Sequence, residues 1–339
     1  MLKEFRKSLA KFIFDKKEKS KNVLDMHKIN SILILRDDNK IGDMIITTIL
    51  FREIKKAYPH IKIFVLCGNS NKIILENNPY IDKIFISDNK FLKDIFVYSK
   101  LRKHKIDLLV DFWPFGPKPM HFLKLRIINS KFLLGICKQK YNIYDISVNV
   151  NYNVEHISKI YTEILHSLNI KNVNINYDIF LDKKYEDYAK TVIEQNDNKK
   201  YLFFNTHSAS KWRTLSLDKT KEILQMLYKY NFKIILNSQY DINDENIIVT
   251  RKDNFLYVLA LIKYSDIILT TDTSIVHAAN AFDKKMISLY VDSSDREEKL
   301  SQIWAPNYRN GIQLLSKPKK NISSIETSQI EDAIKNFLN

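Results

Sequence analysis

From residue 32 to residue 43 the chain reads Ile32-Leu33-Ile34-Leu35-Arg36-Asp37-Asp38-Asn39-Lys40-Ile41-Gly42-Asp43. Four consecutive apolar residues ending in a polar loop fit a strand buried on both faces, as in a parallel sheet. Asp43 to Tyr58 carries apolar residues at helical spacing and Ile61 to Leu66 is apolar again, so strand, helix and strand follow one another. The rhythm continues through a helix at Asn71 to Asn77, a strand at Lys83 to Ile86, a helix around Phe91 to His104, a strand at Ile106 to Asp111 and the loop Trp113-Pro114-Phe115-Gly116-Pro117, with further elements to about Leu168. A polar stretch, Asn169 to Asp187, interrupts it and reads as a linker. It restarts with strands at Tyr201 to Asn205, Phe232 to Leu236, Asp266 to Thr271 and Lys285 to Tyr290, and helices at Ser216 to Tyr230, Phe255 to Lys263 and Ser274 to Phe282. Such alternation predicts an α/β fold of two Rossmann-like domains, each a mostly parallel sheet with helices on both faces. Ligands are expected near strand carboxyl ends, in a cleft between the domains.

Composition narrows the function. A chain of 339 residues suffices for about two domains with their own cores. It holds five glycines, where about 7% is usual. Neither a G-x-G-x-x-G fingerprint nor a Walker loop can be assembled, and each remaining glycine, Gly42 above all, reads as a backbone requirement. Cys67 and Cys137 form no C-x-x-C pair, which excludes a disulfide framework and a zinc finger and points to a reducing cytoplasm. Lys and Arg number 54 against 39 Asp and Glu, a net charge of +15 that favours anionic partners. With the lysines scattered and no nucleic-acid-binding motif beside them, no specific nucleic acid is expected. The sequence has no run of about eighteen apolar residues of the kind that spans a bilayer. In residues 1–28, Leu2, Phe5, Leu9, Phe12 and Ile13 recur at helical spacing opposite Lys3, Arg6, Lys7 and Lys11. This basic amphipathic segment reads either as a docking helix or as a contact with an anionic membrane.

Three places could carry chemistry. Asp43 opens a helix after a buried strand, where an aspartate caps by default. The helix dipole favours a carboxylate there, which also suits a base that takes a proton from a hydroxyl. Thr206, Ser208 and Lys211 follow the strand ending at Asn205, and hydroxyls beside an ammonium suit a phosphate, although a polar surface turn would look the same. His207 has no second ligand at metal spacing. Asp272, Thr273 and Ser274 precede an Ala-rich helix whose first amides form an anion site, and His277 lies one turn after Thr273. An N-cap with a core-facing histidine is the other reading.

The order and setting of these pieces resemble the lipopolysaccharide heptosyltransferases, glycosyltransferase family 9. The resemblance covers roughly Ser31 to Pro306. It rests on Arg36 with Ile41-Gly42-Asp43, Ala57-Tyr58-Pro59, Leu75-Glu76-Asn77-Asn78-Pro79-Tyr80-Ile81-Asp82, Lys211-Trp212, Asp272-Thr273 with His277, and Trp304-Ala305-Pro306. It implies a GT-B architecture, with residues 29–175 binding the acceptor and residues 176–324 the nucleotide sugar. The last helix, in residues 325–339, would pack back on the first domain. The implied reaction is inverting, metal-independent transfer of heptose from ADP-heptose to a lipopolysaccharide or lipooligosaccharide core, with no cofactor. Asp43 would be the base and Gly42 would shape its turn. Thr206, Ser208, Lys211, Asp272, Thr273, Ser274 and His277 would hold the nucleotide sugar. A lipid-linked anionic saccharide would be the acceptor, with the protein cytoplasmic and peripheral on the inner face of the inner membrane, docked through residues 1–28. The chain departs from the family pattern at Ser274 and Val291, where glycine is usual, and at Ile49, where proline is frequent. The ribose-binding acid is one of Asp241, Asp244 and Glu245. These departures leave open another activated sugar for a different surface glycan, or an inactive scaffold.

Overall fold

The computed structural model describes residues 24–113, 118–194, 199–250 and 254–338, together with Ser8 and Asp15. In it the run Ser31–Arg36 is strand β1, and all six residues are buried. The chain continues through α1 (Ile41–Ala57), β2 (Lys62–Gly68), β3 (Lys83–Ser87), α2 (Phe91–Lys103), β4 (Leu108–Asp111), α3 (Pro119–Ile128), β5 (Phe132–Ile136), β6 (Ile146–Val148) and α4 (Ser158–Ser167). The helix expected over Asn71 to Asn77 is a single 3-10 turn, Asn71–Ile74. The six strands form one parallel sheet in the order β3-β2-β1-β4-β5-β6. Leu33 and Leu35 share a core with Phe64, Leu66 and Leu109 of neighbouring strands and with Tyr98, Leu101, Phe122 and Leu125 of α2 and α3. Ile32 and Ile34, one residue out of phase, are fully buried on the other face. Each such side chain contributes roughly 1.5–3 kcal/mol by leaving water, and burial on both faces is why the run shows no polar alternation.

The second sheet repeats the plan. Its elements are α5 (Lys183–Glu194), β7 (Lys200–Asn205), α6 (Leu217–Leu227), β8 (Phe232–Asn237), β9 (Ile247–Val249), α7 (Phe255–Tyr264), β10 (Ile267–Thr271), α8 (Ser274–Ala281), β11 (Lys285–Tyr290), α9 (Leu300–Ile303), β12 (Gly311–Leu315) and α10 (Thr327–Leu338). The order β12-β11-β10-β7-β8-β9, again parallel, is the first sheet's order when counted from its own first strand. Both are Rossmann orders. Helix α5 begins inside the expected linker, because Tyr185 and Ala189 bury themselves while the polar residues around them stay outside.

By its contacts the chain divides into a first unit, Met1–Asn151 with Ser158–Ile175, and a second, Tyr152–Ile157 with Asn176–Asn339. The short segment is held by main-chain bonds from Ile157 N to Ile303 O (2.9 Å) and from Lys299 N to Asn153 O (2.9 Å). His156 Nε2 also lies 2.9 Å from Ala305 O. Ile330, Ala333 and Ile334 of α10 are buried in the second unit's core, with Leu224 and Leu227 of α6 and Ile287 and Leu289 of β11. Its apolar stripe is spent there. The helix expected over residues 1–28 lies outside the described residues, apart from Ser8, Asp15 and residues 24–28 with the turn Met26–Lys28, and so does the loop 114–117 with Gly116. Among the described residues no helix is long and apolar enough to cross a membrane.

Candidate active site

In a sheet of this order the strand sequence reverses beside the first strand, and loops at that point leave room for a ligand. In the first unit the reversal lies between β1 and β4. Arg36, the last residue of β1, is only 6% exposed. Its Nη2 lies 2.7 Å from Asp43 Oδ1 and 3.1 Å from Asp38 Oδ2, and its guanidinium sits 5.0 Å above the Phe112 ring. Burial works against the charge on Arg36, but Asp43 and Asp38 outweigh it and raise the pKa. Burial also raises Asp38, against the pull of Arg36. Asp43 is not the cap of its helix. The N-cap position is Lys40, without a side-chain cap bond, and the Asp43 carboxylate goes to Arg36 while remaining 14% exposed. Its main-chain carbonyl accepts from Thr47 Oγ1 at 2.7 Å and Tyr161 OH at 3.3 Å, which fixes the turn.

Gly42 lies in the first turn of α1, and no described glycine has a positive φ, so it supplies no special conformation. A close approach that a side chain would block is found at Gly68, where a Cβ would stand 2.2 Å from Asn39 Oδ1. Asn39 has φ 60° and accepts from Ser70 N at 3.0 Å, tying the loop after β1 to the end of β2. At the end of β4 stands a group that sequence reasoning missed. Buried Asp111 takes bonds from Tyr144 OH (2.5 Å) and Trp113 N (3.0 Å) and faces His121 Nε2 at 2.8 Å. Burial alone would raise its pKa, but His121 and these bonds hold it well below the usual carboxylate range.

In the second unit the reversal lies between β7 and β10. Asn205 ties the two strand ends together, its Nδ2 reaching Thr270 Oγ1 at 3.1 Å and Thr271 Oγ1 at 3.2 Å. Thr206, expected on the donor, is fully buried, and its hydroxyl donates to Ser238 Oγ at 3.0 Å. Ser208 spends its hydroxyl on closing a turn, donating to Ser210 O and accepting from Ser210 N, both at 3.1 Å. These two hydroxyls therefore shape the loop and offer no O–H to a ligand. Lys211, by contrast, is exposed and has no carboxylate partner among the described residues. Asp272 is held by Arg213 Nη1 at 2.9 Å; burial raises its pKa and Arg213 opposes the rise. Thr273 caps α8, its Oγ1 accepting from Ile275 N at 3.2 Å. Ser274 is the first helical residue and does not have a positive φ, so serine stands there without backbone strain. Among the described residues no other engages its amide or hydroxyl. The buried His277 ring packs edge-on to Tyr177 (5.9 Å) and Trp304 (6.0 Å). Val291 packs against the second core, and Ile49 is fully buried in α1. Of the three candidate acids, Asp244 is taken by Tyr228 OH at 2.6 Å, whereas Asp241 lines a concavity of about 280 Å³ beyond β8 with Leu236, Ser238 and Tyr240.

Two Rossmann units, one with an ion-paired carboxylate at its reversal point and the other with a free ammonium and an open helix start, define a glycosyltransferase of the GT-B class. A family model described as glycosyltransferase family 9 (heptosyltransferase) matches residues 143–329, and the chain belongs to that family. Among its relatives is a provisionally named lipopolysaccharide heptosyltransferase 4 of Escherichia coli (strain K12), 28% identical over 92% of this chain and 88% of the relative. Lipopolysaccharide heptosyltransferase 1 of Campylobacter coli is 21% identical over 84% of this chain and 86% of its own length. Among solved structures, the glycosyl transferase family 9 protein of Veillonella parvula DSM 2008 shares the fold with a TM-score of 0.76 at 16% identity, covering 91% of this chain and 97% of that one. The Escherichia coli ADP-heptose heptosyltransferase II gives 0.70 at 13% identity, over 91% of this chain and 98% of that one.

Proposed function

We propose that this chain is an inverting heptosyltransferase that moves heptose from ADP-heptose to a lipid-linked lipopolysaccharide or lipooligosaccharide core, without a metal. The observation that carries the reading is the free Lys211 ammonium in the same unit as the unengaged Ser274 amide at the start of α8. A departing nucleoside diphosphate needs this pair of features, because negative charge grows on it as the sugar leaves. An Escherichia coli structural relative that contains ADP, WaaC, supports an adenosine nucleotide. In the proposed step an acceptor hydroxyl gives its proton to Asp43 and its oxygen bonds to the anomeric carbon. The bond from that carbon to the pyrophosphate breaks, and ADP leaves with the electron pair. Arg36 keeps the Asp43 carboxylate aimed. Asp241 is the proposed ribose contact. The charge growing on the departing ADP is assigned to Lys211 and the start of α8.

Calorimetric titration of the metal-free protein with ADP, UDP and GDP, then with their sugar conjugates, tests this. Selective ADP binding that persists with ADP-heptose and weakens at least tenfold in Lys211→Ala is expected. Preference for a uridine donor would replace ADP-heptose with another activated sugar, and no nucleotide binding would favour a scaffold.

A further inference from the structure

Leu92 and Phe96 of α2 are 82% and 74% exposed, the two most exposed large apolar side chains among the described residues. Four residues apart on a helix, they are neighbours. At 100° per residue the same side carries Lys93, Ser99, Lys100 and Lys103, all exposed, and no acid. None of these three lysines has a carboxylate partner among the described residues. The helix's one acid, Asp94, is buried and accepts from Ser87 Oγ (2.7 Å), Asp88 N (2.9 Å) and Lys90 N (3.1 Å). It therefore locks the helix start, while Tyr98 and Leu101 anchor the opposite side in the core. The exposed face is held in place by the fold, not left over by fraying.

We propose that this face of α2 docks the protein on an anionic lipid bilayer. Leu92 and Phe96 enter the boundary between headgroups and acyl chains, and Lys93, Lys100 and Lys103 pair with headgroup phosphates. Charge complementarity selects this occupant. Three unpaired lysines around two apolar anchors fit an interfacial helix on acidic lipid. A second copy of the chain would bring the same lysines and a net charge of +15 against them, and the amino-terminal segment would bring Lys3, Arg6, Lys7 and Lys11.

Flotation of the full chain with phosphatidylcholine vesicles, with and without phosphatidylglycerol, tests the proposal. Since the vesicles carry no saccharide and no nucleotide is added, the result is independent of the donor and acceptor assignments. Wild type should float only with the anionic vesicles and should release at high salt. Leu92→Ser with Phe96→Ser should reduce binding about tenfold or more. Lys93→Glu with Lys100→Glu should reduce it at least about fivefold per lysine. Both variants should melt like wild type, because all four side chains are exposed. Unchanged binding in both variants, equal flotation on neutral vesicles, or loss of binding only in Phe5→Ser with Phe12→Ser would overturn it. So would a dimer, seen by light scattering, that the Leu92 and Phe96 changes dissociate while vesicle binding persists.

Discussion

Asp43→Asn separates the proposed chemistry from the architecture, because one carboxylate is assigned to both. Asp43 and Asp38 share the Arg36 guanidinium at 2.7 and 3.1 Å. Opposite charges about 4 Å apart attract by about 4 kcal/mol at an effective dielectric near 20, but desolvation of buried Arg36 offsets most of this. An asparagine oxygen can stay beside Nη2 and Asp38 keeps its charge, so the net loss of stability should be about 1–2 kcal/mol. Against a usual total of about 5–15 kcal/mol the protein stays folded, with a melting temperature lower by a few degrees. Loss of a general base should lower turnover at least about a hundredfold, or about 2.7 kcal/mol of barrier. Asp38→Asn is the control, since it removes a comparable ion pair without touching the proposed base, and its turnover should stay within about threefold of wild type. The assay is ADP release at saturating donor and acceptor, with calorimetric donor affinity measured alongside. Near-normal turnover in Asp43→Asn would refute the assignment, and an Asp38→Asn enzyme equally slow would show that the effect is electrostatic support of Arg36 rather than proton transfer.

Thr206→Val should cost about 1 kcal/mol in urea unfolding through the lost bond to Ser238 yet leave donor affinity unchanged, because that hydroxyl faces the interior. Ser274→Gly, which restores the family residue, should change donor affinity by less than about threefold and cost about 0.5–1 kcal/mol, since no strain exists there to relieve. Asp111→Asn should cost about 3 kcal/mol at pH 7 by leaving the His121 and Tyr144 partners undercompensated. Because the folded pKa of Asp111 is lowered, its contribution is complete above the ordinary carboxylate range and fades as pH falls below about 4. The gap between wild type and Asp111→Asn in urea midpoint should therefore hold steady above about pH 5 and narrow as pH falls below about 4; a constant gap would contradict the ionised carboxylate.

What was legible in the sequence had local causes. Ile32 to Leu35 announced a doubly buried strand because four apolar residues ran without interruption. The restart at Tyr201 showed in the same way. Helix α5 was hidden because Tyr185 and Ala189 are its fully buried anchors in an otherwise polar run, and β9 because three residues set no period. At the site, Asp43 stood out from its strand-to-helix setting, but the assignment of its carboxylate to Arg36 rather than to capping is a tertiary fact. Arg213 and Asp272 are 59 residues apart, and Tyr144 and Asp111 are 33 apart. No spacing rule reaches that far. Thr206 and Ser208 looked like ligand donors because composition cannot say which way a hydroxyl turns.

The path of residues 152–157 sets a timetable for synthesis. The chain enters the second unit at residue 152, returns to the first at 158 and leaves it for good at 176. His156 meets Ala305 across 149 positions of sequence. At about 5–20 residues per second on the ribosome, roughly 7 to 30 s pass before that partner emerges. During this interval the first unit can finish folding, α4 included, while six residues in its midst wait without their mates. A gene split at residue 175 would deliver those six residues to the wrong half, so complementing fragments should assemble only when the break spares them.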